Sequence, residues 1–159
     1  MNSLIIFGAK YLFVLNILVV LIYFFTLSKN KKREFFLLAL IALPAIYIIA
    51  KLSGLFFYDP RPFVSDNIIP LINHAPDNGF PSDHTLISTA LAMLVFFYNK
   101  KLGVFLGIIA ILVGISRILS GVHHPVDIIG GIVISIVIAW LVYIFILPKV
   151  FGLFKKGQK

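Results

Sequence analysis

The 159-residue sequence contains no cysteine, a single tryptophan and only six acidic residues. Without cysteine the chain has no disulfide framework, so cysteine usage gives no indication of its redox compartment. Charged residues make up 13% of the chain, whereas 60% of the residues are hydrophobic and the mean hydropathy is +1.05. The first residues, Met1-Asn2-Ser3, lack a basic segment, and we expect no removable signal peptide. This composition indicates an integral membrane protein.

The hydrophobic residues are concentrated in blocks that are long enough to cross a membrane. A bilayer core requires about 20 apolar residues per helix. Five blocks reach or approach this length: residues 11–28, 35–57, 84–98, 102–119 and 125–147. Residues 1–10 are too short to span alone, and Gly8 and Lys10 interrupt them, so we expect this segment at the outer membrane interface. The sequence predicts one all-α domain over residues 1–159, an integral membrane helical bundle of about five transmembrane helices with a short N-terminal interfacial segment.

Lysine and arginine are concentrated after the first, third and fifth blocks. By the positive-inside rule these segments lie in the cytoplasm. The residues concerned are Lys29, Lys31, Lys32, Arg33, Lys100, Lys101, Lys149, Lys155, Lys156 and Lys159. All acidic residues except Glu34 then fall on the outer side, and the predicted topology has its N-terminus outside and its C-terminus inside. The net charge of +8 requires only anionic inner-leaflet lipid as a partner, and nothing indicates nucleic-acid binding.

Three polar or small residues within the blocks are interpreted as packing features. Asn16 is expected to donate a hydrogen bond between helices. Gly103 and Gly107 are four residues apart, a spacing that is typical of helices in close contact.

Ionisable residues are concentrated where the fourth block gives way to the fifth. Such groups at membrane depth indicate a functional site. Pro125 is typical of a first helical turn, so Asp127 falls in that turn and can reach back to His123. A carboxylate bonded to one ring nitrogen fixes the tautomer and leaves the other nitrogen as a base or nucleophile. Arg117 adds a permanent planar cation that suits phosphate oxygens.

Further candidates fall on the same predicted side of the membrane. Arg61 follows the second block, and Ser82 and His84 lie at the start of the third. Ser82 is a plausible N-cap, and the free N–H groups that follow it form an anion site. Two arginines, a helix N-terminus and two histidines favour a phosphoryl-transfer site. In such a site one histidine attacks phosphorus and the other protonates the leaving oxygen.

Several alternatives compete with this interpretation. The His/Asp pair is also typical of a helix cap with a satisfied histidine. His123, His124 and Asp127 are residue types that bind zinc, although Arg117 would repel the ion. A proton-coupled transporter would distribute ionisable groups through the membrane depth on several helices, whereas here they are concentrated at one face. A membrane protein with a purely structural role and no catalytic activity would leave the complete set of candidate catalytic residues unexplained.

Three short motifs contain these candidates. One reads Ser116-Arg117, five residues, His123, three residues and Asp127; a second reads Pro81-Ser82-Asp83-His84. The third is partial, because Arg61-Pro62 is present but Gly54 lies seven residues before Arg61, and Lys51 is one helical turn earlier. In these motifs the chain resembles the type 2 phosphatidic acid phosphatase superfamily, in which most members have glycine in place of Asp83 and a lysine in place of Gly54.

The resemblance implies a mechanism. His123 would form a phosphohistidine intermediate, Asp127 would hold it, and His84 would be the general acid. The implied phosphate-binding residues are Arg61, Arg117, Ser82 and Lys51. The resemblance gives no role for Asp83, for which we expect either the binding of a water or the orientation of a lysine or arginine. No metal or other cofactor is implied. Because family members commonly have six spans, residues 1–10 would stand in for a lost first helix.

The resemblance also implies a substrate. The variant Pro-Ser-Asp-His is similar to the bacitracin-resistance type of undecaprenyl-pyrophosphate phosphatase. We therefore expect a phosphatase that converts undecaprenyl pyrophosphate to undecaprenyl phosphate at the outer face of a bacterial cytoplasmic membrane. Phosphatidylglycerophosphate and phosphatidic acid are the alternative substrates, because they would use the same phosphate-binding residues.

Overall fold

A computed structural model describes residues 2–150 of the chain, and these residues form helices and no strands. In chain order the helices are α1 (Asn2–Thr26), α2 (Lys29–Phe56), α3 (Pro62–Ser65), α4 (Asp83–Phe96), α5 (Lys100–Leu119) and α6 (Pro125–Leu141). After a π-helical turn at Val142–Ile146 the last helix continues to Val150. The predicted all-α architecture is confirmed.

Four helices are long and apolar enough to cross a bilayer. Their lengths are 25 residues for α1, 28 for α2, 20 for α5 and 26 for Pro125–Val150. At about 1.5 Å per residue, each is about 30 Å or longer, which matches the hydrocarbon core. Large hydrophobic side chains are exposed along all four helices, as expected where lipid is the solvent. The chain is therefore a multi-pass membrane protein.

The third predicted span, α4, is the central helix of the bundle. It is only 14 residues long, about 21 Å, yet it packs against α1, α2, α5 and α6. Most of its residues are buried. Because other helices pack around most of α4, it does not need the length of a span that is exposed to lipid.

The N-terminal segment differs from the prediction. Residues 2–10 are not a separate interfacial element but the first part of α1. Ala9 is fully buried, and a Cβ atom at Gly8 would overlap Ser116 of α5. Glycine is a poor helix former in isolation, but here it permits a close contact between two helices, and tertiary packing overrides the local preference. Residues 2–10 and the first predicted span therefore form one continuous helix.

The residues interpreted as packing features behave differently from one another. Asn16 is fully buried, and its Nδ2 donates to the carbonyl oxygens of Ser88 (3.4 Å) and Leu106 (3.2 Å), which confirms the predicted interhelical hydrogen bond. A Cβ at Gly103 would overlap the backbone of Phe96, so close packing is confirmed there. Gly107 meets nothing within 4 Å, so the prediction was wrong for that residue.

The two ends of the bundle differ in charge. The basic residues at the starts of α2 and α5 lie at one end. The end of α2, the start of α4, the end of α5 and the start of α6 meet at the other, together with the loop of residues 57–82. Lys155, Lys156 and Lys159 of the predicted basic tail lie outside the described residues. The second end contains the candidate site.

Candidate active site

A cavity of about 300 Å³ opens at the end of the bundle where α2, α4 and α5 meet the loop. Six of the residues predicted from the sequence line it: Lys51, Arg61, Asp83, His84, Arg117 and His123. They come from five different segments of the chain. The structure thus brings together in one space the side chains that the motifs only placed on one side of the membrane.

His123 lies at the bottom of this cavity with its two ring nitrogens in opposite roles. Its Nε2 is 3.2 Å from Nη1 of Arg61 and 3.4 Å from Nη2 of Arg117. Guanidinium groups only donate hydrogen bonds, so Nε2 must be the acceptor and the ring proton must reside on Nδ1. Nδ1 donates to Oδ2 of Asp127 at 3.0 Å. The lone pair of Nε2 is therefore directed at the place where the two arginines would hold an anion.

The surroundings of His123 keep it neutral. Its side chain is 3% exposed, and burial, followed by the positive charges of Arg117 and Arg61, lowers the pKa of His123 far below the ordinary histidine value. A neutral imidazole retains the lone pair that a nucleophile needs. An anionic phosphate between the two arginines would offset their charge.

Asp127 is fixed by the first turn of α6. It is fully buried, and its Oδ2 accepts both from Nδ1 of His123 and from the backbone N–H of His124 at 3.0 Å. A Cβ at Gly79 would lie 2.7 Å from this oxygen, so only glycine permits the loop to pass here. The carboxylate is thus held in place by helix, loop and histidine together.

The two arginines are anchored by contacts that leave donors available. Arg61 donates through Nε to Oδ1 of Asp77 (2.7 Å) and through Nη1 to the carbonyl of Val122 (2.8 Å). Arg117 donates through Nη1 to the carbonyl of Ala9 in α1 at 3.3 Å. Its Nε is buried and has no partner among the described residues. A buried cation with an unused donor is a natural ligand for phosphate oxygens.

The start of α4 supplies the second histidine. His84 lies in the first turn and packs edge-on against Phe13 of α1, with ring centroids 4.7 Å apart. Ser82 occupies the N-cap position, but its hydroxyl forms no cap hydrogen bond and instead accepts from the Thr85 hydroxyl at 3.3 Å. The side chain of Ser82 is fully buried and does not line the cavity, so the predicted capping contact is wrong, and phosphate binding by Ser82 stays a prediction.

Asp83 and Lys51 meet at the rim of the cavity. The Lys51 Nζ lies 3.2 Å from Oδ1 and 3.3 Å from Oδ2 of Asp83. The two side chains are 51% and 61% exposed. The aspartate of the second motif therefore orients a lysine, one of the two roles that we expected for it.

The loop contributes three residues that the sequence did not reveal. His74 lines the cavity, and its ring centroid is 6.2 Å from that of His123. Asp77 holds Arg61. Asn78 accepts from the N–H groups of Asp59 and Phe80, so that it shapes the loop around the cavity. The only sequence signal was the turn-forming character of Asp77-Asn78-Gly79, which predicts a loop but no contact with Arg61.

His124 faces away from the cavity. Its Nδ1 lies 2.9 Å from Asp59 and its Nε2 lies 3.2 Å from Asp66. Burial lowers the pKa of His124, but the hydrogen bonds to Asp66 and Asp59 outweigh it and raise the pKa overall. Ligand atoms of Asp59, His124 and Asp127 lie within 4.8 Å of one another, so this group, without His123, is the one that could surround a metal ion among the described residues. Asp59 replaces His123 in the set expected from the sequence.

Comparisons with known proteins show which family the chain resembles. The model of a family described as the PAP2 superfamily matches residues 34–150. The chain is 38% identical over 146 residues to the undecaprenyl-diphosphatase BcrC of Bacillus subtilis (strain 168), covering 91% of this chain and 75% of that protein. It is 35% identical over 144 residues to the bacitracin transport permease protein BcrC of Bacillus licheniformis, covering 90% and 70% of the two chains.

A solved structure has the same fold. The crystal structure of LpxE from Aquifex aeolicus superimposes with a TM-score of 0.71 at 24% identity, covering 89% of this chain and 86% of that one. At this identity the likeness concerns the fold alone.

Proposed function

Because the chain belongs to the PAP2 superfamily, we propose that it hydrolyses undecaprenyl pyrophosphate to undecaprenyl phosphate and inorganic phosphate. The observation that carries the proposal is the position of Nε2 of His123, which accepts from two arginines at the bottom of the cavity while Asp127 fixes the opposite nitrogen. A phosphatase activity follows from the family, and the B. subtilis relative is named for this substrate.

The first step is the attack of His123 on the terminal phosphorus. Arg61 and Arg117 bind the non-bridging oxygens of the terminal phosphate and so stabilise the charge that develops in the transition state. As the bond between Nε2 and phosphorus forms, the bond from phosphorus to the bridging oxygen breaks. His84, which lines the same cavity, donates a proton to that oxygen, and undecaprenyl phosphate leaves.

The second step regenerates the enzyme. His84 accepts a proton from a water molecule, and the water oxygen attacks the phosphorus bound to Nε2 of His123. The nitrogen–phosphorus bond breaks, inorganic phosphate is released, and the ring returns to the neutral tautomer that Asp127 holds. Each group is thereby restored to its initial protonation state, and the reaction requires no metal or other cofactor.

The charge distribution supports an extracytoplasmic active site. The cavity lies at the end of the bundle opposite to Lys29–Arg33 and to Lys100 and Lys101, which the positive-inside rule places in the cytoplasm. A cavity at this end would meet the headgroup of a lipid in the outer leaflet of a bacterial cytoplasmic membrane.

Phosphate release by the detergent-purified protein tests the proposal. Undecaprenyl pyrophosphate, phosphatidylglycerophosphate and phosphatidic acid are compared with EDTA present, and the His123→Ala variant is the control. We expect preference for the pyrophosphate, insensitivity to EDTA and no turnover by the variant. A preference for either phospholipid would overturn the substrate, and activity of His123→Ala would overturn the mechanism.

A further inference from the structure

The family's first-motif lysine has no place in this fold. Gly54 occupies its position, and a Cβ there would lie 2.9 Å from the backbone oxygen of Phe80. The carbonyl of Gly54 also accepts from Nδ2 of Asn78 at 2.8 Å. Because the loop of residues 57–82 packs directly against Gly54, no side chain fits at this position. Lys51, one turn earlier in α2, brings an ammonium group to a different part of the cavity, its outer rim.

A second cavity begins at the same rim. It is an apolar groove of about 250 Å³ between α2 and α4, lined by Leu43 and Tyr47 on one side and by Ile87 and Ala90 on the other. Asp83 lines both this groove and the polar cavity. The groove is therefore adjacent to the polar cavity, and Asp83 lies at the boundary between them.

The ammonium of Lys51 lies at the junction between the two spaces. It is bound by Asp83, and it also lies 5.2 Å from the ring centroid of Tyr47, one turn below it in α2. Leu43 is one further turn below, so the groove reaches a level about 12 Å below Lys51 along α2, toward the membrane interior. An ion pair this exposed contributes little to folding stability, and its exposure leaves the ammonium group accessible to a ligand.

We propose that Lys51, positioned by Asp83, binds the lipid-side phosphate of a prenyl diphosphate, and that the adjoining prenyl chain lies in the groove between α2 and α4. This inference rests on the proposed function. When the terminal phosphate is held by Arg61 and Arg117 against His123, the second phosphate lies beyond His84, toward the rim. A diphosphate is then long enough to reach Lys51, and a monophosphate is not.

The experiment compares farnesyl diphosphate with farnesyl monophosphate, which differ only in the lipid-side phosphate. We expect Lys51→Met to lower kcat/KM for the diphosphate by about 10- to 100-fold, the value of one charge-assisted hydrogen bond, and for the monophosphate by less than about 3-fold. Lys51→Arg should retain most of the preference. If the wild-type protein does not turn over the monophosphate, its inhibition constant is compared instead. Equal losses for both substrates would overturn the assignment of Lys51.

The role of Asp83 is tested by a double-mutant cycle. Asp83→Gly, which introduces the residue that most members of the family have, should lower kcat/KM for the diphosphate by about 3- to 10-fold. If Asp83 acts by positioning the lysine, the same substitution in the Lys51→Met background adds no further loss. An additive loss would show that Asp83 acts independently of Lys51.

The groove is tested by filling it. Ile87→Trp should raise KM for farnesyl diphosphate by about 5-fold or more and leave isopentenyl diphosphate, whose chain is too short to occupy the groove, unchanged. The matched control is Ile108→Trp, which fills a separate apolar groove beside Gly103 and Gly107 and should change neither. Equal effects of the two tryptophans would indicate that ordinary membrane lipid occupies both grooves. If the wild-type protein is inactive on every diphosphate, the proposed function itself is rejected. If the wild-type protein is active but each variant loses activity equally on all substrates, only this inference is rejected.

Discussion

His123 and His124 are adjacent in the chain but lie in opposite electrostatic surroundings. His123 faces the cavity, where Arg61 and Arg117 contact it. Its side chain is buried there and its pKa is lowered. His124 faces away from the cavity, where Asp59 and Asp66 contact it. Its side chain is partly exposed there and its pKa is raised. The surroundings of His123 oppose protonation of its ring, whereas those of His124 favour it.

The local backbone explains the difference. His124 has φ −81° and ψ 159°, an extended conformation, immediately before α6 begins at Pro125. Successive side chains of an extended segment point to opposite sides, so two adjacent histidines are directed to different environments. The comparison shows that residue type alone does not determine the role of either histidine. The charges around each ring make one histidine a nucleophile and the other a link between loop and helix.

The largest difference in kcat is expected between two variants, one in which Asp127 beside His123 is neutralised and one in which Asp59 beside His124 is neutralised. Asp127→Asn should lower kcat by about 10³- to 10⁴-fold, because an amide can stabilise the wrong tautomer of His123. The control Asp59→Asn neutralises one of the two carboxylates that contact His124 and should leave kcat within about 10-fold of wild type. Similar losses in both variants, measured by phosphate release, would remove the distinction between the two histidines.

His84 in α4 is a third histidine whose surroundings define its role. His84→Ala should slow the cleavage of a lipid diphosphate by about 10²- to 10⁴-fold, which is typical of the loss of a general acid. The loss should be smaller for p-nitrophenyl phosphate, because its leaving group departs without a proton. Equal losses with the two substrates would assign the role of acid to another residue.

The lowered pKa of His123 predicts a pH profile. A nucleophile must be deprotonated, so the decline of kcat/KM at acid pH that is caused by His123 should occur well below pH 6.5. Arg61→Gln removes one of the charges that lower this pKa, and the decline should move to higher pH. Lys100→Gln, at the opposite end of the bundle, should leave it in place. An unchanged profile for Arg61→Gln would contradict the electrostatic account.

The raised pKa of His124 predicts the smallest effect, on stability. A pKa that is higher in the folded state stabilises the fold below the unfolded-state value near 6.5, and this contribution is lost as the pH rises through the folded value. The Tm of wild type should therefore exceed that of His124→Gln by several degrees at pH 6, and the gap should narrow by pH 9. A gap that widens with pH would show that His124 is neutral in the fold.

The site residues borne by helix ends could be predicted from the sequence, because local geometry places them. His123 and Asp127 are four residues apart at a helix start, and this spacing alone brings their side chains together. The helical bundle was predictable for a similar reason, since block length and hydrophobicity are local properties.

The loop residues could not be predicted, because their positions depend on how distant segments close on each other. Asp77 meets Arg61 across 16 residues, and Lys51 meets Asp83 across 32, with no periodic pattern between them. The start of α1 was assigned wrongly for a related reason. Its glycine indicated a break in the helix, whereas packing against α5 requires a glycine inside the helix.

Trapping the covalent intermediate tests the central claim most directly. The protein is mixed with farnesyl diphosphate labelled with ³²P in its terminal phosphate, quenched in alkali within milliseconds, and digested for peptide mapping. We predict alkali-stable, acid-labile label on the peptide that contains His123, and none in His123→Ala. The same label should accumulate on His124→Gln. Label on any other residue, or its persistence in His123→Ala, would contradict the assignment of His123 as the nucleophile.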